Sequence, residues 1–209
     1  MTLEKKNVIH IVFFWCALIA ALAVPFIFVV TSPLLAWRSP IYIIACFSGV
    51  VGLGLLLIQP LLIGGSFPGL SKHLARRAHP WIGTLLLLAV LGHVGGLWIT
   101  SPPDVIDALT FNSPTPFSNW GVIAMLSLFT TTLLAIFRRR LRLRPINWRL
   151  AHSFLALVIV IGTIVHAILI EGTMETMSKA TLCLLVLVAT INTLFGALLL
   201  TGLRSSAKQ

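Results

Sequence analysis

Four histidines stand in two pairs of equal spacing, His79 with His93 and His152 with His166, fourteen positions apart in each. On an α-helix that interval falls about 40° short of four turns, so both imidazoles of a pair share a face, roughly 21 Å apart along the axis. The residues between them are almost wholly apolar. Ionisable groups inside apolar spans are expensive, and four of them in two matching pairs read as ligands. Two neutral imidazoles on facing helices are what axial ligation of a heme iron requires. Zinc fits less well, because tetrahedral ligation needs its ligands at one level. A proton relay would mix in Asp or Glu, and no acidic residue lies deep in an apolar run. The bland reading is four hydrogen-bonded packing histidines, and the matched spacing argues against it. His10 and His73 have no such partner and read as boundary residues.

The elements that must position these groups follow from composition. With 58% apolar and 10% charged side chains over 209 residues, and a mean hydropathy of +1.03, the chain reads as an all-α integral membrane protein. Six apolar runs, at 8–30, 41–63, 80–100, 119–137, 150–170 and 180–203, predict a six-helix transmembrane bundle. The expectation is one membrane domain over 1–209, surrounded by lipid.

A net charge of +10 would suggest nucleic acid in a soluble protein. Here the charges sort by side, and no nucleic-acid partner is expected. Lys5, Lys6, Lys72, Arg76, Arg77, Arg138, Arg139, Arg140, Arg142, Arg144, Arg149, Arg204 and Lys208 fall on one side, thirteen of the fifteen basic residues. Arg38 and Lys179 fall on the other, with Asp104, Asp107, Glu171 and Glu175. The positive-inside rule then predicts both termini in the cytoplasm. Lys5-Lys6, an apolar run and Ala21-Leu22-Ala23 imitate a secretory signal, but the run continues through Val30 and predicts an uncleaved helix.

Spans three and five are both odd-numbered and therefore parallel. His79 is then level with His152 and His93 with His166, which predicts two iron centres between those spans. Arg77 and Arg149, just before the inner histidines, sit where the propionates of an inner heme would emerge. Gly83, Gly92, Gly95 and Gly96 would let a macrocycle lie against bare backbone, with Trp81, Trp98 and Phe154 against its faces. An aromatic belt explains Trp81, Trp98, Trp120 and Trp148 equally well.

The remaining features are structural. Cys16, Cys46 and Cys183 lie inside spans and read as small buried residues, not as disulfides. The third span is predicted to begin at His79-Pro80, and the Pro- and Ser-rich stretch 101–118 to be an irregular external loop. Thr130, Thr131 and Thr132 should bond back to their own helix, and Asn192 and Thr193 across to another. No Gly-rich phosphate loop, CxxC motif or nucleophile elbow is present.

At Arg76-Arg77-Ala-His79-Pro-Trp-Ile-Gly83 to His93, and Asn147-Trp148-Arg149-Leu-Ala-His152 to His166, the chain resembles the ferric reductase-like transmembrane domain family. That family includes metalloreductases, the membrane part of NADPH oxidases and the heme-binding subunit of the periplasmic methionine-sulfoxide reductase system. The resemblance implies two b-type hemes, His79 and His152 on the inner one, His93 and His166 on the outer. In the reductase members a flavin domain is fused after the last span. This chain stops at Gln209, so the resemblance implies a flavin reductase on a separate polypeptide, or quinol, as the donor.

The function expected is transmembrane electron transfer, ferric reductase-like, across a bacterial inner membrane to an external acceptor. One alternative is a heme-binding subunit serving a separate periplasmic oxidoreductase, such as a methionine-sulfoxide reductase. Another is a heme-free transporter or channel with titrating histidines. Oxygen reduction is not separable by sequence. The acidic outer residues read first as solvated loop charge.

Overall fold

The computed structural model describes the backbone of residues 2–206 and the side chains of 8–196. Seven α-helices follow one another: α1 (Thr2–Val30), α2 (Pro40–Gly64), α3 (Lys72–Thr100), α4 (Pro102–Leu109), α5 (Pro116–Phe137), α6 (Pro145–Leu169) and α7 (Thr176–Ser206). All but α4 are long and apolar enough to cross a membrane, and they carry the six predicted spans. The charged side chains of Lys5, Lys6, Arg204 and Lys208 lie outside the described residues.

Local sequence signals set the helix ends. Ser39 and Ser71 cap α2 and α3, each hydroxyl accepting the backbone N–H three residues on (3.3 and 3.2 Å). Prolines open α2, α4, α5 and α6, where the lost N–H would have had no helical partner. Gly65, in the left-handed region at φ 69°, ends α2.

Two boundaries differ from expectation. The third span begins at Lys72, eight residues before Pro80, which lies inside α3 and not at its first turn. The cap at Ser71 initiates the helix, and the basic residues Lys72, Arg76 and Arg77 lie in its first turns. The stretch 101–118 is likewise not all loop. Pro102 and Pro103 start α4, where Asp104 in the first turn complements the helix dipole.

The helices pack as two hairpins, α2 on α3 and α5 on α6, joined by α7, which lies against α1, α2 and α6. Leu53, Leu56, Leu57, Leu86, Leu128, Ile159, Val160, Leu182 and Val186 form the common core. Small residues close the first hairpin: a Cβ on Gly96 would stand 2.7 Å from that of Ala45, and one on Gly92 3.1 Å from Ser48 Oγ. In the second, Gly162 is as close to the Trp120 carbonyl (3.0 Å) and the Ala124 side chain (3.1 Å). Thr193 Oγ1 donates to the Pro60 carbonyl at 3.0 Å, tying α7 to α2 as expected. Thr130 and Thr132 bond back to Leu126 and Leu128, whereas the buried Thr131 hydroxyl has no partner among the described residues.

Outward, the bundle is apolar on every side, with Phe13, Ile19, Ile44, Leu88, Ile136, Phe154 and Leu184 all exposed. In water such a surface would be a liability; lipid solvates it.

Candidate functional site

α3 and α6 do not pack extensively on one another, and histidine side chains reach across the space between them. The ring centroids of His79 and His152 are 6.0 Å apart, and those of His93 and His166 are 6.4 Å apart. Both pairings hold only for parallel helices in matched register, so the levels expected from the spacing are present. A metal ion shared by the two rings of a pair, at metal–nitrogen bonds of about 2.0–2.1 Å, would be compatible with separations of this size, which also lie in the ordinary range for edge-to-face ring contacts, about 4.5–7 Å. The ring planes are nearly perpendicular, at 74° and 78°.

The pair His93 and His166, at the end of the bundle away from the basic cluster and called outer on the charge pattern, is oriented by backbone. His93 Nδ1–H donates to the carbonyl of Ala45 (2.8 Å), and His166 Nδ1–H to that of Phe117 (2.9 Å). A carbonyl can only accept, so both Nδ1 atoms carry the proton, and in the neutral ring Nε2 then keeps the lone pair. That is the tautomer a metal-ligating histidine adopts, with its second nitrogen held from outside the coordination sphere.

Glycines make this approach possible. One turn beyond each accepting carbonyl stand Gly49 and Gly121, where a Cβ would come within 3.0 Å of His93 Nδ1 and 2.7 Å of His166 Nδ1. The two hairpins thus repeat one device: carbonyl, glycine four residues on, histidine on the next helix. The offsets differ by one residue, 72 positions from Gly49 to Gly121 and 73 from His93 to His166. Sequence reasoning missed Gly121, because it looked for pairing only on the helices that carry the histidines. The 73-residue offset of the histidines, applied to Gly49, falls on Val122, so the match to Gly121 needs a one-residue shift that sequence spacing does not reveal.

The inner pair is held differently. The ring of Trp148 stacks on His152 at 5.2 Å and 26°, and the Arg138 guanidinium lies 5.3 Å from the Trp148 centroid. Nδ1 of His79 and of His152 are buried without a hydrogen-bond partner among the described residues. Gln59, whose Oε1 is also buried and unpartnered, packs against Gly83, one turn from His79.

A cavity of about 550 Å³ lies between the hairpins at the outer level. It falls within the usual range for cofactor pockets, about 300–1,000 Å³. His93, His166, Gly49 and Gly121 line it among apolar side chains, and Asp104, Asp107, Ser113 and Lys179 stand toward its outer end.

Several expected contacts are elsewhere. Gly83, Gly92 and Gly96 face α2 and not the space between the histidines, because the hairpin contact takes up that side of α3. Trp81 (74% exposed), Trp98 and Phe154 point outward, where lipid receives them. Arg77 and Arg149 are exposed at the basic end, on the helices that carry His79 and His152.

A family model described as ferric reductase like transmembrane component matches residues 48–163. The chain belongs to that family. The matched stretch runs from Ser48 to Thr163 and contains His79, His93 and His152, with His166 three residues beyond it. Comparison with curated proteins and with solved structures finds no match. As a ferric reductase-like transmembrane component with six apolar helices, the chain is an integral membrane protein with a role in membrane electron transfer.

Proposed function

We propose that this protein carries electrons across a bacterial inner membrane through two b-type hemes, one held by His79 and His152 and one by His93 and His166. The observation that carries the reading is that the four histidines meet as two facing pairs, 6.0 and 6.4 Å apart, with Nδ1 of His93 and His166 each held by a backbone carbonyl. Heme iron supplies reversible one-electron chemistry, which the chain has to hold at two depths and shield from water.

The residues divide that work. The carbonyls of Ala45 and Phe117 fix the outer imidazoles in the liganding tautomer. Trp148 braces His152 at the inner level. The apolar walls of Leu53, Leu86, Leu128 and Ile159 keep the space between the levels dry. Arg77 and Arg149, near the inner pair, supply cations for carboxylates there. The basic end, with Arg76, Arg77 and Arg138 to Arg149, faces the cytoplasm by the positive-inside rule and receives electrons from a flavin or quinol donor. The outer cavity, rimmed by Asp104 and Asp107, opens toward an external acceptor such as ferric iron.

A reduced-minus-oxidised visible spectrum with a pyridine hemochrome count tests the proposal. Two b-type hemes per chain are expected, and one after His93→Ala or His166→Ala. A colourless protein, or two hemes surviving every single histidine change, would overturn it. Reduction of a ferric chelate by the pre-reduced protein would distinguish a metalloreductase from a subunit that passes electrons only to an external protein.

A further inference from the structure

Lys179 is out of place by charge and by burial. It is one of two basic residues on the acidic side of the spans, and it is only 5% exposed, in the first turns of α7. A buried ammonium is costly unless an anion or a set of acceptors compensates it. Among the described residues its Nζ donates to the Ile170 carbonyl at 2.8 Å. An ammonium carries three N–H donors, so two remain. Asp104 and Asp107 line the same cavity, yet the hydrogen bond goes to neither.

The side chain also lines the cavity that His93 and His166 enter, beside Ile170, Thr173 and Met174. The cavity is otherwise mostly apolar, with the cation toward its outer end, where the carboxylates of Asp104 and Asp107 also stand but do not take its remaining donors. An amphiphilic ligand with a flat apolar body and an anionic edge suits that arrangement.

We propose that Lys179 is the anion-binding residue of the outer cavity, and that its partner is a carboxylate: a propionate of the tetrapyrrole seated between His93 and His166. This rests on the heme reading above and adds a residue to it. A purely structural role is the rival, because Ile170 ends α6 and a cation there also satisfies an orphan carbonyl.

The test uses the full chain purified with heme, as wild type, Lys179→Gln and Lys179→Arg. Gln keeps a donor for Ile170 and loses the charge; Arg keeps both. Two readouts are taken: the potentiometric titration of the hemes, and the rate of heme loss to an acceptor apoprotein. Both are repeated after reconstitution with heme whose propionates are esterified. For Lys179→Gln one of the two potentiometric components should shift down while the other stays. One heme should dissociate roughly tenfold faster, the loss expected for a hydrogen bond to a charged group. Lys179→Arg should stay close to wild type, and with the esterified heme wild type and Lys179→Gln should lose it at the same rate. Equal acceleration for free and esterified heme would reduce Lys179 to a helix cap and overturn the proposal. Lys179→Gln matching wild type in both readouts would overturn it too, and would leave a carboxylate from an external acceptor without support. Wild-type protein that takes up no heme would defeat the electron-transfer reading and this inference together.

Discussion

The Cβ that Gly121 lacks would stand 2.7 Å from Nδ1 of His166, closer than real Cβ contacts come. The neighbour is the nitrogen that donates to Phe117, so the ring cannot retreat without breaking that bond. Gly121→Ala should displace the imidazole and destabilise the protein by about 1–3 kcal/mol, the usual cost of overpacking a tight site. Gly49→Ala, at 3.0 Å from His93 Nδ1, should cost less. Thermal unfolding in detergent, read beside the hemochrome count, checks the order. Loss of heme from Gly49→Ala with Gly121→Ala intact would contradict it.

Perpendicular rings make a second prediction. If both pairs hold heme iron as proposed, ring planes at 74° and 78° would keep the two iron orbitals of π symmetry close in energy. Ferric protein should therefore give broad, strongly anisotropic low-spin electron paramagnetic resonance signals at both levels. Trp148 holds one of those rings by stacking on His152. Trp148→Ala should alter the inner signal alone, and Trp148→Phe should restore part of it. An outer signal that changes with Trp148 would break the separation of levels.

Much of this site was legible because its spacing has a physical consequence. Equal fourteen-residue intervals on helices of equal direction pair by depth, and the count of apolar spans was enough to make α3 and α6 parallel. Backbone partners were not legible. The carbonyls of Ala45 and Phe117 belong to residues whose identities carry no polar signal, and they matter only because helices α2 and α5 bring them to the rings. Glycine was misread for the same reason. Gly92 and Gly96 look as suited to a macrocycle as Gly49 does, and only packing tells a hairpin contact from a histidine contact. Pro80 looked like a start because proline suits a first turn, but the Ser71 cap lies upstream and overrides it.

Thr193 reports on the packing that holds α7 in place. Its hydroxyl donates to Pro60 on α2 at 3.0 Å, and also to Ala189 in its own helix at 2.9 Å. Interhelical hydrogen bonds in membranes contribute about 0.6 kcal/mol on average, because the unfolded chain finds partners too. Thr193→Val should lower stability by about that amount, measured by unfolding in mixed micelles, with the heme count unchanged. A loss several times larger would mean that this contact does more than join two helices.

Glu175 gives the fold a dependence on acid at the outer end. Its two carboxylate oxygens accept from the backbone N–H groups of Met177 (2.8 Å) and Ser178 (2.7 Å), opening α7. Those donors hold the carboxyl below the usual carboxylate range. Because the folded value is the lower one, the stabilisation is complete above the ordinary carboxylate range and is lost as pH falls through the lowered value. Amide hydrogen exchange over the first turn of α7 should therefore be faster in Glu175→Gln than in wild type at pH 7. The difference should shrink as acid protonates the wild-type carboxyl. Equal protection of the two proteins at neutral pH would show that the carboxylate does not order this turn. Lys179 lies within that turn's reach, four residues on, where its N–H already bonds the Glu175 carbonyl at 3.0 Å. Loosening it should also loosen the placement of the one buried ammonium in the outer cavity among the described residues.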